Sequence, residues 1–116
     1  MHELGIARRL VAEALERMEA EGGGRVATVE AMLGSTGQLS AESVRQHFEL
    51  AARGTPAERA VFNVTWAPAR YRCFDCMYEF TCRIPGGGGC PRCGAAALSL
   101  DREELAYVRS VSTEAD

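Results

Sequence analysis

Two stretches of the chain repeat hydrophobic residues at the three- and four-residue steps of an amphipathic helix. The first predicts a helix from Glu3 to about Glu21, ended by the run Gly22–Gly24, because three glycines lose too much backbone entropy to stay helical. Its expected buried stripe comprises Leu4, Ala7, Val11, Ala14, Leu15 and Met18. The second predicts a helix that Ser40 caps and that runs to about Arg53, with a buried stripe formed by Val44, Phe48, Ala51 and Ala52.

Three other segments have the composition and alternation of β-strands. They are Arg25–Leu33, Ala60–Trp66 and Leu105–Val111. The first is apolar on both sides, which predicts a strand covered on both faces. The tail Ser112–Asp116 is polar, and we expect it to fray.

The predicted order of elements is helix, strand, helix, strand, cysteine-rich segment, strand. The strand-helix-strand portion favours two parallel strands joined by a right-handed crossover. The cysteine-rich segment lies between two strands that could pair antiparallel, as an elaborated hairpin. We therefore predict an α+β fold in which a small mixed three-stranded sheet and two helices form one domain (residues 1–69 and 99–116). A zinc-ribbon-like module is inserted at residues 70–98.

Composition narrows the possible functions. The 116 residues are 47% hydrophobic and 25% charged, and the formal net charge is −3. This acidic balance is a poor match to a phosphate backbone, so we expect no nucleic acid partner. No apolar run reaches the roughly 20 residues that cross a bilayer, and the start Met1-His2-Glu3-Leu4 lacks the features of a secretory signal. We expect a cytoplasmic protein with no membrane partner, as a monomer or weak homodimer.

Four of the five cysteines form two CxxC motifs. Cys73 and Cys76 make the first pair, and Cys90 and Cys93, followed by Gly94, make the second. Two thiolates three positions apart in a tight turn can face one metal ion, and two such turns complete a tetrahedron. Four thiolates leave no open coordination position, so the spacing predicts a structural zinc ion that supplies folding free energy to the module.

Two alternatives accompany this interpretation. Iron in a rubredoxin-like site has the same ligands, whereas a redox dithiol would need one CxxC beside a helix start, which the segment lacks. The fifth cysteine, Cys82, is expected to be a small, half-buried residue of a strand from Met77 to Ile84. The other possibility is a thiol that exchanges with a zinc ligand or binds a second metal transiently.

The first three residues form a second candidate metal site. The α-amine of Met1 with the amide and imidazole of His2 can close fused chelate rings, and Glu3 can complete four-coordination. A nitrogen-rich square plane suits Ni(II) or Cu(II), whereas zinc has no electronic preference for it. An ordinary helix start also explains Glu3 through the helix dipole. The other histidine, His47, is expected to be a half-exposed helix residue or an auxiliary ligand.

Together these motifs resemble a known family. The start Met1-His2-Glu3-Leu4, the segment Phe48–Thr55 and the ordered CxxC and CPxCG motifs are similar to those of the HypA/HybF nickel metallochaperones of hydrogenase maturation. The resemblance implies nickel binding by His2 with Met1 and Glu3, and structural zinc on Cys73, Cys76, Cys90 and Cys93. It also implies delivery to the nickel-iron hydrogenase large subunit together with the accessory GTPase HypB. Some members also serve urease.

The residues favour a metal carrier over two other classes of protein. A zinc-ribbon module that binds RNA or a protein partner is the alternative, because paired CxxC motifs are common in such modules. An enzyme is not expected, because the chain has only two histidines and shows neither a glycine-rich phosphate loop nor a recognisable catalytic triad. The cofactors expected are therefore structural Zn(II) and transported Ni(II).

Overall fold

The computed structural model describes residues 2–35, 39–101 and 105–115, with the side chain of His2 left out of the description. Within these residues the chain forms two helices and six strands. In chain order they are α1 (His2–Ala20), β1 (Arg25–Gly34), α2 (Ala41–Ala51), β2 (Val61–Ala67), β3 (Ala69–Cys73), β4 (Glu79–Cys82), β5 (Ala97–Ser99) and β6 (Ala106–Glu114). The predicted fold class is confirmed: two helices with a mixed three-stranded sheet, plus a separate three-stranded antiparallel sheet that carries the cysteines.

Helix α1 buries a wider face than the predicted stripe. Ala7, Val11, Ala14 and Met18 are buried as expected, whereas the expected Leu4 and Leu15 are only half-buried. Ile6 and Leu10 are buried although the stripe did not include them. The reason is that α1 packs against both α2 and β6. Its buried face is therefore wider than the single stripe of a helix that contacts only one neighbouring element.

Helix α2 lies close to its predicted position. It begins at Ala41, directly after the expected cap Ser40, and Val44 and Phe48 are its buried residues. The ring of Phe48 stacks on that of Phe62 from β2, with ring centroids 4.5 Å apart. This contact joins the helix to the sheet beneath it.

The first sheet has the order β2-β1-β6. The side chains of Asn63 and Glu30 are hydrogen-bonded, and the Ser35 amide donates to the Ala67 carbonyl, so β1 and β2 advance in the same direction. This agrees with the expected parallel crossover. The expected hairpin is wrong, because β1 lies between β2 and β6 and the two strands that flank the insertion are not neighbours.

Strand β6 runs antiparallel to β1 and is longer than predicted. The Gly34 amide donates to Leu105 at one end, and near the other end the hydroxyls of Thr28 and Ser112 are 2.5 Å apart. We expected fraying from Ser112 onward, but the strand continues to Glu114. The polar tail stays extended because β1 offers it both a backbone ladder and a hydroxyl partner.

The second sheet has the order β4-β3-β5, and both pairs are antiparallel. Tyr71 in the central strand is opposite Phe80 on one side and Ser99 on the other, and its side chain is only 1% exposed. The rings of Tyr71 and Phe80 stack with centroids 5.8 Å apart. A single aromatic side chain thus provides much of the core of this small sheet.

The chain divides into two compact units. One comprises Met1–Met32, Ala41–Thr65 and Ala106–Asp116, and the other comprises Leu33–Ser40 and Trp66–Leu105. The expected zinc module, residues 70–98, therefore lies inside a larger unit that also takes in the end of β1 and of β2. Nickel binding by the first unit stays a prediction.

Candidate metal centre

The structure brings the four predicted zinc ligands together. Cys73 is the last residue of β3, Cys76 lies in the turn that follows, and Cys90 and Cys93 belong to the turn before β5. All four sulfur atoms lie within 4.8 Å of one another. The Cys73 and Cys93 sulfurs are 3.4 Å apart, and those of Cys76 and Cys90 are 3.7 Å apart.

These spacings fit one tetrahedral ion. Metal–sulfur bonds of about 2.3 Å place the ligand sulfurs of a tetrahedron about 3.8 Å apart. Each CxxC turn, or knuckle, supplies one buried cysteine (Cys73 or Cys90) and one exposed cysteine (Cys76 or Cys93). The ligands therefore approach the centre both from the interior and from the surface. The residues present therefore fit structural zinc, which would be held by four thiolates with no position open to substrate.

Backbone amides surround the cluster in the manner expected of CxxC knuckles. The amides of Asp75 and Cys76 lie 3.3 and 3.4 Å from the Cys73 sulfur, and the Arg92 amide lies 3.3 Å from the Cys90 sulfur. Each N–H places a partial positive charge against a sulfur, which stabilises its thiolate form. The turns therefore position the ligands and also favour the charge state that binds metal.

The residue after each knuckle has a positive φ. Gly94, which follows the second CxxC motif, has a φ of 81°. The equivalent residue of the first knuckle is Met77, with a φ of 64°, and it is the only non-glycine residue with a positive φ in the part of the chain described. The same turn is therefore built twice, and the first copy holds a side chain in a backbone conformation that favours glycine.

The four thiols differ in acidity. Amide hydrogen bonding, from Cys76 first, lowers the pKa of Cys73 to about 6. Although the Ala95 amide acts to lower the pKa of Cys93, the neighbouring Cys73 sulfur and burial raise it to about 12. Sulfurs this close repel each other when both are charged, so a divalent cation is what allows all four to be thiolates together.

The glycine run before the second knuckle has a packing role that the sequence did not reveal. Gly86 to Gly89 all have positive φ. A Cβ atom on Gly87 would lie 2.8 Å from the Tyr71 ring, so this loop can cover the ring only without a side chain there. The Tyr71 hydroxyl donates to the Ser35 carbonyl, and the Gly86 amide donates to the same oxygen over 3.3 Å. In the sequence, the four consecutive glycines are the only feature that could have indicated a close contact at this loop.

Cys82 lies apart from the cluster. It ends β4, it is half-buried, and its sulfur accepts a hydrogen bond from the Ile84 amide over 3.3 Å. Its carbonyl oxygen accepts the Ser35 hydroxyl proton over 2.6 Å. The half-buried position in a strand is confirmed, although the strand is shorter than the expected Met77–Ile84 and spans only Glu79–Cys82. Cys82 is not a member of the four-cysteine group.

Of the three predicted nickel ligands, only Glu3 has a side chain among the described residues. Met1 and the side chain of His2 lie outside the described residues, whereas Glu3 occupies the first turn of α1. The Ser43 hydroxyl donates to Oε1 of Glu3 over 2.8 Å. His47 is half-buried one turn further along α2, as expected.

Among the described residues, neither helix is both long and apolar enough to cross a bilayer.

Comparison with known proteins identifies the family. The family described as "Hydrogenase/urease nickel incorporation, metallochaperone, hypA" matches residues 1–113. The hydrogenase maturation factor HypA of Chlorobium limicola is 32% identical over 114 residues, covering 98% of this chain and 97% of the relative. That of Geotalea daltonii is 35% identical over 115 residues, covering 97% and 98%.

A solved structure shares the fold. The solution structure of the Ni metallochaperone HypA from Helicobacter pylori superimposes with a TM-score of 0.63 at 16% identity, covering 98% of each chain. At this identity the likeness concerns the fold alone, and the sequence matches carry the family assignment. The chain belongs to the HypA family, whose members are nickel metallochaperones of hydrogenase maturation and not enzymes.

Proposed function

We propose that Met1, His2 and Glu3 bind the Ni(II) that this chain carries, while Cys73, Cys76, Cys90 and Cys93 hold a structural zinc ion. The observation that carries the nickel assignment is the start of α1 at His2. The first N–H groups of a helix have no carbonyl acceptor inside it, so the amides of His2 and Glu3 can turn towards a metal without breaking a helical hydrogen bond.

The chemistry of these three residues suits a cargo ion. An α-amine, an amide nitrogen and an imidazole give Ni(II) the nitrogen donors that it prefers, and Glu3 adds a carboxylate. A site at a chain end can release its ion to an acceptor more easily than a closed cage can. The four-cysteine cluster has the opposite character, since all four positions around its ion belong to the protein.

The experiment compares the native start with the same chain carrying a short extension before Met1 that a protease can remove. Isothermal calorimetry should show nickel binding lost in the extended chain and restored after cleavage, and His2→Ala should lose it in the native form. Zinc content, measured by atomic emission, should be the same in all forms. Undiminished nickel uptake by the extended chain would show that the terminal amine is not a ligand.

Acidity gives an independent test of the ligand set. The amine and imidazole must lose protons to bind, and their ordinary pKa values lie at about 8 and 6.5. Nickel affinity should therefore fall as the pH is lowered through that range. An affinity that stays constant from neutral to mildly acidic pH would contradict this set of ligands.

The partners follow from the same proposal. We infer that the chain delivers nickel in the cytoplasm to the large subunit of nickel-iron hydrogenase, with the accessory GTPase HypB. The family assignment supports this role, and the thiols of the cluster need a reducing compartment to stay available to metal. Mixing nickel-loaded chain with HypB and the immature large subunit should move nickel to the subunit, and the His2→Ala chain should move none.

A further inference from the structure

Strand β6 lies at one edge of the first sheet, and α1 supplies partners to two of its backbone groups. The Arg9 guanidinium donates to the Ala106 carbonyl over 2.7 Å, and the Val108 amide donates to Oε1 of Glu13 over 2.8 Å. Nε of Arg9 lies 3.6 Å from Oε2 of Glu13, four residues further along the same helix. One donor and one acceptor on a single helix face are thus bonded to the backbone of this strand.

The two backbone groups point away from the sheet. The Gly34 amide of the neighbouring strand donates to the Leu105 carbonyl. Backbone groups of successive residues in a strand point alternately to its two sides, so those of Ala106 and Val108 face outward. Outward-facing groups of an edge strand are a template for pairing with another chain. The side chains of α1 therefore occupy the place where a further strand would bind.

The closed part of the edge is also its apolar part. Ala106 and Val108 are buried, and the side chain of Tyr107 between them is 39% exposed on the other face. The rest of the strand, residues 109–114, is polar apart from one valine. A second strand would gain most from pairing beside Tyr107, and this is where α1 closes the edge.

We propose that Arg9 and Glu13 form an edge guard, which keeps β6 from pairing with the β6 of a second copy of this chain. The edge is complementary to itself. An antiparallel pair about a two-fold axis at Tyr107 sets Ala106 of each copy opposite Val108 of the other, and the two tyrosine rings lie side by side. This pairing needs the same carbonyl and amide that the edge guard holds, so both bonds must break first. The inference concerns neither metal site and goes beyond the proposed nickel function.

The substitutions separate the edge guard from a general effect of charge on α1. The double variant Arg9→Ala/Glu13→Ala removes the guard and leaves the net charge unchanged. The double variant Arg8→Ala/Glu16→Ala removes the same two kinds of charge from exposed positions of α1 and is the matched control. Glu13→Gln keeps an oxygen that can accept the Val108 amide proton. Each full-length, zinc-saturated variant is studied by analytical ultracentrifugation and by hydrogen exchange over a series of protein concentrations.

The guardless variant, Arg9→Ala/Glu13→Ala, should associate more tightly than the parent. Loss of one hydrogen bond to a charged group corresponds to about tenfold or more in an equilibrium constant, so we expect its dimer dissociation constant to fall by at least about tenfold. Its Val108 amide should exchange faster than in the parent when the protein is dilute. The same amide should regain protection as the concentration rises, because it then pairs with the second copy. The matched control and Glu13→Gln should behave like the parent in both measurements.

Four results would overturn the proposal. Self-association of the guardless variant no tighter than that of the control would show that the edge does not pair. Tighter association without concentration-dependent protection of Val108 would place the contact on another surface. Exchange of Val108 as fast in the parent as in the guardless variant would show that Glu13 does not close the edge. Association of Glu13→Gln as tight as that of the guardless variant would assign the effect to charge in place of hydrogen bonding.

The test holds even if the guardless variant does not fold. Glu13→Ala alone leaves the Arg9 bond to Ala106 in place and frees only the Val108 amide. It should show the same concentration-dependent protection of that amide, with a smaller change in the dissociation constant. A Val108 amide that stays unprotected at every concentration of folded Glu13→Ala would also contradict the edge guard.

Discussion

Replacing Gly87 by alanine tests whether the glycine run is part of the core around the zinc centre. The added Cβ would meet two carbons of the Tyr71 ring at 2.8 and 2.9 Å, on a backbone with a φ of 90°. The ring has little room to move away, because it is 1% exposed, stacks on Phe80 and donates its hydroxyl proton to Ser35. The side chain therefore meets both a strained backbone and an occupied space.

The magnitude can be estimated from these two effects. Left-handed backbone strain costs about 1–2 kcal/mol, and forcing an extra carbon into a packed core costs about 1–3 kcal/mol. Alanine offsets about 0.4–1 kcal/mol of this by restricting the unfolded chain. We expect Gly87→Ala to lower the free energy of unfolding by about 3 kcal/mol. Gly86→Ala is the control: its φ is 85° but nothing lies within 4 Å of its Cβ, so strain alone predicts a loss of about 1 kcal/mol.

The assay is urea denaturation at a fixed zinc concentration, since free metal adds to apparent stability. Trp66, the sole tryptophan of the chain, lies in the same compact unit and gives the fluorescence signal. The difference between the two glycine variants measures the contact with Tyr71. Equal losses in Gly87→Ala and Gly86→Ala would refute the packing argument.

Three further predictions concern the same unit. Cys73→Ser should abolish stoichiometric zinc binding, whereas Cys82→Ser should keep it, and a chelator assay measures the bound zinc in both. Loss of zinc in Cys82→Ser would contradict the four-ligand site. Gly94→Ala should destabilise the zinc-bound protein by about 1 kcal/mol through its positive φ alone, and an unchanged urea midpoint would refute this. The Arg70 backbone amide, together with the Arg70 guanidinium, lowers the pKa of Asp101 in the folded protein. Ionised Asp101 therefore stabilises the fold at a pH above the pKa that it has in the unfolded chain, and this stability is lost as the pH falls through the lower pKa of the folded state. Arg70→Ala keeps the amide, so an NMR titration of Asp101 should still give a pKa below that of a free aspartate; a normal value would show that the side chain causes the whole shift.

Local spacing in the sequence determined much of this protein. Helical periodicity located α1 and α2 to within a few residues, and alternation located the three strands of the first sheet. The CxxC pairs predicted a cluster that the structure forms, because a knuckle is a turn of a few residues and its ligand geometry is a local property. The motifs at residues 1–3 and 73–94 also indicated the family correctly.

Tertiary structure decided what depends on contacts between distant segments. The central place of β1, which excludes the expected hairpin, is set by hydrogen bonds to strands on either side, and periodicity carries no information about which strands pair. The contact of Gly87 with Tyr71 joins residues that no local pattern relates, and the bond from Ser43 to Glu3 joins two helices. Periodicity reports whether a side chain is buried, but only the packed chain determines which partner it meets there.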